Sequence, residues 1–308
     1  MRRVLPGRWL GFLLIFALAA LSSAATAAPR PDKAYRVALG VRGMAPVAIH
    51  AEEYGRGRPV LLIHGLAAST YAWRNVIPVL ARTHRVIAID LKGFGRSEKP
   101  FDLAYSPHDH AALVSAFIRK RGLTDVTVIG HSFGGAIALM VTIEMNRTAP
   151  GRVRDLVLMN APAYSQPSTN FVNLMRMPIL PYAVMTLVPP ELATWLALDP
   201  AQAAMMTRKD VLEYAAPFRD AAARHALIAT SRAIVPRDYE AITAAYPSIR
   251  QRTLVIWCRE DPTVPLSTGK RLARTLPRAR LEVLEGCSHV PQDEQPAAVN
   301  RLIRAFLN

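Results

Sequence analysis

Ser132, Asp261 and His289 are the residues of this chain whose types and order could carry out acyl-transfer chemistry. A serine hydroxyl is a weak nucleophile until a base takes its proton. A histidine can take that proton, and a carboxylate behind the histidine fixes its tautomer and stabilises the imidazolium. Ser132 lies in Gly130-His131-Ser132-Phe133-Gly134-Gly135, after an apolar run at 126–129 and before a helix-like run from Ala136. This is a G-x-S-x-G string in a strand–turn–helix context, which predicts a nucleophile elbow. The turn is tight enough to strain the serine backbone, and Gly130 and Gly134 leave room for strand and helix to approach closely.

The chain order serine, acid, histidine is the one such an elbow requires. His289 follows the apolar run 281–284, and Asp261 follows the run 253–257. Each therefore ends a strand, on the same sheet edge as Ser132. Glu260 is a rival acid. Asp261 is preferred because Pro262 turns the chain there and a shorter side chain suits a tight loop. A second position for an acid, after 156–159, holds Asn160, which supplies no charge. Negative charge developing on a substrate oxygen needs preorganised N–H donors. Phe133 is expected to give one backbone N–H, and Leu66, in His64-Gly65-Leu66 after the run 60–63, the other. Gly65 is expected to give that turn its freedom and His64 to brace it. His84, His108, His110 and His225 do not follow the right strands. No His/Cys/Asp cluster has metal-ligand spacing, so neither a metal nor another cofactor is expected.

The elements that must position these groups can be read from periodicity. Candidate strands are 35–39, 47–52, 60–63, 86–89, 126–129, 156–159, 253–257 and 281–284. The first two alternate like half-exposed antiparallel strands, and the later ones are nearly continuous Val, Ile and Leu, as in a parallel sheet buried on both faces. Helical segments fall at 71–81, 107–121, 133–145, 268–275 and 297–306. This alternation predicts an α/β domain with a mostly parallel eight-stranded sheet and helices on both faces. Residues 161–246 break the rhythm with nine prolines among helical patches such as 201–216 and 221–234. They predict a helical cap over the carboxyl ends of the strands, where open α/β sheets bind ligands.

His64-Gly65, Asp90-Leu91-Lys92-Gly93-Phe94-Gly95-Arg96-Ser97, the elbow, Asp261 and His289 together resemble the capped α/β-hydrolase superfamily. The resemblance runs from about Pro46 to the end and is least diagnostic in the cap. It implies core segments at 28–160 and 247–308 around a cap at 161–246. Epoxide hydrolases and dehalogenases of this superfamily carry aspartate at the elbow, so Ser132 argues against both. Its carbon–carbon bond hydrolases often have Asn before the serine and extra glycines in the oxyanion loop, where this chain has His131 and Leu66-Ala67-Ala68. The resemblance thus implies cleavage of an ester or thioester with a hydrophobic acyl or aryl group, a carboxylesterase-like activity. The alternatives are acyl transfer or perhydrolysis, carbon–carbon bond hydrolysis, and a non-catalytic ligand-binding receptor on the same fold. Met175, Met177, Met185, Met205 and Met206 in the cap suit either an adaptable apolar pocket or cap packing.

The chain has 308 residues, 51% hydrophobic and 20% charged, an ordinary globular composition. Arg2, Arg3 and Arg8 precede an apolar run at 9–21 and an Ala25-Thr26-Ala27 site, the layout of a secretory signal peptide at 1–27. Export to the periplasm or exterior is expected, with a membrane anchor through an uncleaved N-terminal helix as the alternative. In an oxidising compartment Cys258 and Cys287, each just past a strand end, either pair or stay as two buried thiols. The net charge is +15, or +12 without the three leader arginines. Basic residues are scattered and no nucleic-acid motif appears. The expected partner is a small hydrophobic ester, with peripheral membrane contact allowed by the charge and the oligomeric state left open.

Overall fold

The computed structural model describes residues 28–198 and 200–308. The expected signal segment lies outside them. Eight strands form one sheet: β1 (Lys33–Leu39), β2 (Val47–Tyr54), β3 (Arg58–Ile63), β4 (His84–Ile89), β5 (Val126–His131), β6 (Val153–Met159), β7 (Arg252–Cys258) and β8 (Ala279–Leu284). Their spatial order is β1-β2-β4-β3-β5-β6-β7-β8. β2 is antiparallel to both its neighbours, and every pair from β4 to β8 is parallel. The parallel strands therefore end at one edge, and the loops after β3, β5, β7 and β8 meet there.

Successive side chains of a strand point to opposite faces, so the continuous apolar runs feed two cores. Leu61, Ile63, Val128, Leu156, Leu158 and Val255 pack on one face with α2 (Pro107–Lys120) and α3 (Phe133–Thr148). Val60, Leu62, Ile129, Val157, Leu254 and Ile256 pack on the other with α1 (Ile77–Leu80) and α13 (Pro296–Leu307). α2 starts where its sequence dictates: Ser106 and Asp109 form a reciprocal capping box around Pro107. The expected helix at 71–81 is instead a 3-10 turn, Thr70–Trp73, followed by the single turn α1. Ser69 accepts from the Tyr71 N–H and Asp90 from the Thr70 N–H, which holds the first turn apart from the second. β2 is more buried than its alternation suggests, because His50 and Tyr54 both hydrogen-bond Glu52 beneath Arg96.

Between β6 and β7 the chain forms seven described helices: α4 (Asn170–Arg176), α5 (Leu180–Leu187), α6 (Pro190–Ala197), α7 (Pro200–Met205), α8 (Arg208–Ala215), α9 (Ala221–Ala233) and α10 (Tyr239–Ala244). Pro181 and Pro190 stand in the first turns of α5 and α6, where a missing N–H costs nothing. The prolines here thus begin helices as well as interrupt them. The patch read as one helix at 201–216 is two, because Thr207 caps α8 through a second capping box with Asp210. After β7 come α11 (Leu266–Thr275) and, after β8, the short α12 (Pro291–Glu294). Among the described residues no helix is long and apolar enough to cross a membrane.

Candidate active site

Ser132 joins β5 to α3 with φ +50° and ψ −125°. That backbone lies outside the regions open to most L-residues and costs about 1–3 kcal/mol. Three bonds hold it: the Ser132 N–H donates to Met159 O at 2.9 Å, and its carbonyl accepts from Gly135 N at 2.8 Å and Ala136 N at 3.2 Å. A Cβ on Gly130 would lie 2.4 Å from Gly134 O, and one on Gly134 would lie 2.2 Å from Ile63 O. Both glycines are there because backbone passes through the space a side chain would need.

The structure brings the three expected residues together. The Ser132 hydroxyl donates to His289 Nε2 at 2.9 Å, and His289 Nδ1–H donates to Asp261 Oδ2 at 2.9 Å. The Asp261 side chain is fully buried, and its Oδ1 accepts from the backbone of Thr263 at 2.7 Å and Val264 at 3.0 Å. Glu260 points elsewhere and accepts from the Gly286 N–H at 3.1 Å. Phe133 is the first residue of α3, so its N–H has no intrahelical acceptor. Leu66, on the facing loop, borders the same cavity as Ser132 and Phe133. His64 braces that loop: its Nδ1–H donates to Gly65 O at 2.7 Å and its Nε2 accepts from Leu91 N at 3.0 Å. Burial holds its pKa below the usual histidine range. The role expected for Gly65 needs correction. Ala67, at φ +60°, takes the left-handed backbone. Gly65 is needed for space, since a Cβ there would lie 3.1 Å from His131 Nδ1 and 3.2 Å from Ser132 Cβ.

Further contacts hold these groups in place, and the partners they join are set by the fold. Asn160, itself left-handed at φ +47°, donates from Nδ2 to Asp261 Oδ2 at 2.6 Å. The position that cannot supply a charge therefore supplies a donor to the charge. His131 donates from Nε2 to the carbonyl of His289 at 2.8 Å. Burial, reinforced by the neighbouring His289, pushes its pKa down to about 3, so it stays neutral. Glu294 accepts from the Ser288 N–H at 2.6 Å and the Val290 N–H at 2.7 Å, one residue either side of His289. Asp90, in the motif shared with the superfamily, accepts from Thr70 N at 2.7 Å and Arg96 N at 2.8 Å, tying two loops at the strand ends. Cys258 and Cys287 form a disulfide, which resolves the two readings in favour of pairing and joins the acid loop to the histidine loop.

A cavity of about 980 Å³ lies over Ser132 and His289, between the strand-end loops and the helices of the 161–246 stretch. Met175, Met185 and Met206 line it, whereas Met177 and Met205 are exposed. The methionines thus divide between cavity wall and outer surface. Behind the wall, Arg74 bridges Asp210 of α8 and Asp293 of α12, each at 2.9 Å. Tyr71 donates to Asp210 at 2.8 Å and Tyr214 to Asp293 at 3.2 Å. One guanidinium serves two carboxylates, and burial pushes Asp293 up to about 6 although Arg74 opposes the shift.

A family described as alpha/beta hydrolase fold matches residues 58–296. The chain belongs to that family. It is 32% identical over 296 residues to a 2-hydroxymuconate semialdehyde hydrolase of Pseudomonas sp. (strain CF600), covering 88% of this chain and 92% of the relative. It is 30% identical over 286 residues to a 2-hydroxy-6-oxo-2,4-heptadienoate hydrolase of Pseudomonas putida F1, covering 85% and 93%. Among solved structures, a meta-cleavage product hydrolase of Pseudomonas fluorescens IP01 superposes with a TM-score of 0.70 at 27% identity, covering 85% and 94%. The chain is accordingly a hydrolase of this fold.

Proposed function

We propose that this hydrolase cleaves a carbon–carbon bond beside a ketone, through an acyl-enzyme on Ser132. The observation that carries this reading is the similarity, over more than four-fifths of the chain, to hydrolases of meta-cleavage products. Ser132 attacks the ketone carbon while His289 Nε2 takes its proton, and the N–H groups of Leu66 and Phe133 receive the oxyanion. Collapse of the tetrahedral adduct breaks the bond to the neighbouring carbon. Its electron pair passes into a conjugated carbonyl, and the resulting enolate takes the proton back from His289. Water then attacks the acyl-serine as His289 accepts its proton, and collapse of this second adduct breaks the bond to Ser132 Oγ, which takes that proton back from His289 as the carboxylic acid leaves. The substrate must therefore carry a carbonyl that can hold the departing charge.

Ester hydrolysis is the second reading, favoured by His131 and Leu66-Ala67-Ala68 where carbon–carbon hydrolases of the superfamily often have Asn and glycines. Benzoylacetone and p-nitrophenyl butyrate separate the two. Benzoate and acetone released from the diketone in equal amounts, and lost in Ser132→Ala, support the first reading. Turnover of the ester alone replaces it with the second. The leader-like segment and the disulfide support an exported protein, since disulfides persist in oxidising compartments.

A further inference from the structure

The named substrates of two relatives, a muconate semialdehyde and a heptadienoate, are carboxylates. The described wall of this chain's cavity contains no Lys, Arg, Asp or Glu side chain. Two guanidiniums close behind the wall are committed elsewhere. Arg74 is held by Asp210 and Asp293 behind Tyr214, and Arg271 stacks on Tyr164, 3.9 Å from the ring centroid. A carboxylate entering here would lose its water and gain no counter-charge, which is strongly unfavourable.

The wall does offer an unpaired neutral group. Gln292 borders the cavity, but its amide has no accessible surface even on that side and neither Nε2 nor Oε1 has a hydrogen-bond partner, so a substrate group meets it only when the side chain turns toward the cavity. Leaving both ends of a buried amide unpaired destabilises a fold, so the position calls for a partner. Its backbone is also firmly mounted: the two residues that follow Gln292 in α12 are both anchored, Asp293 by Arg74 and Tyr214, and Glu294 by the N–H groups of Ser288 and Val290. Such mounting is what a recognition group needs. Gln166, on the same wall, also has a buried Oε1 without a partner while its Nε2 donates to Thr263 O at 3.0 Å.

We propose that the cavity selects a neutral, largely apolar substrate, and that Gln292 turns its buried amide into the cavity to hydrogen-bond the polar group the substrate carries beyond the reacting carbonyl. The proposal rests on the assignment of this cavity as the substrate site and not on which bond is broken there. An amide or hydroxyl fits best, because Gln292 offers both a donor and an acceptor.

Isothermal titration calorimetry of the full chain with three ketones of one shape tests this without turnover: 6-oxo-6-phenylhexanamide, 6-oxo-6-phenylhexanoate and hexanophenone. The amide is expected to bind at least tenfold tighter than the carboxylate. Gln292→Leu is expected to remove most of the amide's advantage over hexanophenone, and Gln292→Asn to restore part of it. Tighter binding of the carboxylate, binding of none of the three, or an amide advantage unchanged in Gln292→Leu would each overturn the proposal. Failure of benzoylacetone cleavage alongside the predicted titration would refute only the bond assignment.

Discussion

His289 is held at three of its atoms and bracketed at its two neighbours. Ser132 and Asp261 take the ring nitrogens, His131 takes the carbonyl, and Glu294 takes the N–H groups of Ser288 and Val290. Asp261 is held just as fully, with Asn160 on the oxygen that also receives the imidazole. Asn160→Ala removes a bond to a buried charge and should lower kcat/KM on p-nitrophenyl butyrate about tenfold, or about 1.4 kcal/mol of transition-state stabilisation. An unchanged kcat/KM would mean that the two backbone N–H groups suffice to orient the acid. The triad was legible in the sequence because each member ends a strand in the required order. His131 was placed beside the nucleophile by its motif, but its partner was not legible, nor was that of Asn160, since their bonds span 158 and 101 residues and only the folded sheet edge pairs them; Glu294, whose bonds are local, carries no motif.

At the scale of elements, the elbow and the α8–α12 joint set the site's shape. Gly134→Ala places a Cβ 2.2 Å from Ile63 O and 2.4 Å from His64 O, where neither strand nor helix can yield. The expected loss is about 3 kcal/mol, measured by urea denaturation, and a midpoint equal to wild type would refute the packing argument. At the joint, Asp293 keeps its proton to about pH 6, whereas an unfolded aspartate loses it near pH 4. Between those values the folded state binds more protons than the unfolded, so this group's contribution to stability falls as pH rises. Asp293→Asn should therefore gain on wild type by about 2–3 kcal/mol between pH 4 and pH 7. Parallel stability curves for the two proteins would show that Asp293 titrates normally. The strands were legible to within a few residues because burial on both faces writes a continuous apolar run. The helices between β6 and β7 were less so: α4, α5 and α6 are short, carry few charges and expose Ile179, Leu187 and Leu196, so no apolar stripe marks them.

Across the whole molecule, the Cys258–Cys287 disulfide closes a loop that carries the acid and ends two residues before His289. Constraining the unfolded chain over a sequence separation of 29 contributes about 3–4 kcal/mol. Reduction, or Cys258→Ser with Cys287→Ser, should lower stability by that amount and reduce activity through the loosened histidine loop. Equal denaturation midpoints with and without reductant would show that the bridge contributes nothing. The pairing stayed open in the sequence because two cysteines just past strand ends are equally compatible with buried thiols; the parallel register of β7 and β8 brings their Cα atoms to 5.2 Å.

Whether Ser132 is a nucleophile activated by His289 is decided by fluorophosphonate labelling with peptide mapping of wild type, Ser132→Ala and His289→Ala. A single adduct on Ser132 is expected in the wild type, none in Ser132→Ala, and labelling slowed by at least a hundredfold in His289→Ala. An adduct on another residue, or labelling of Ser132 at an undiminished rate without His289, would contradict this expectation.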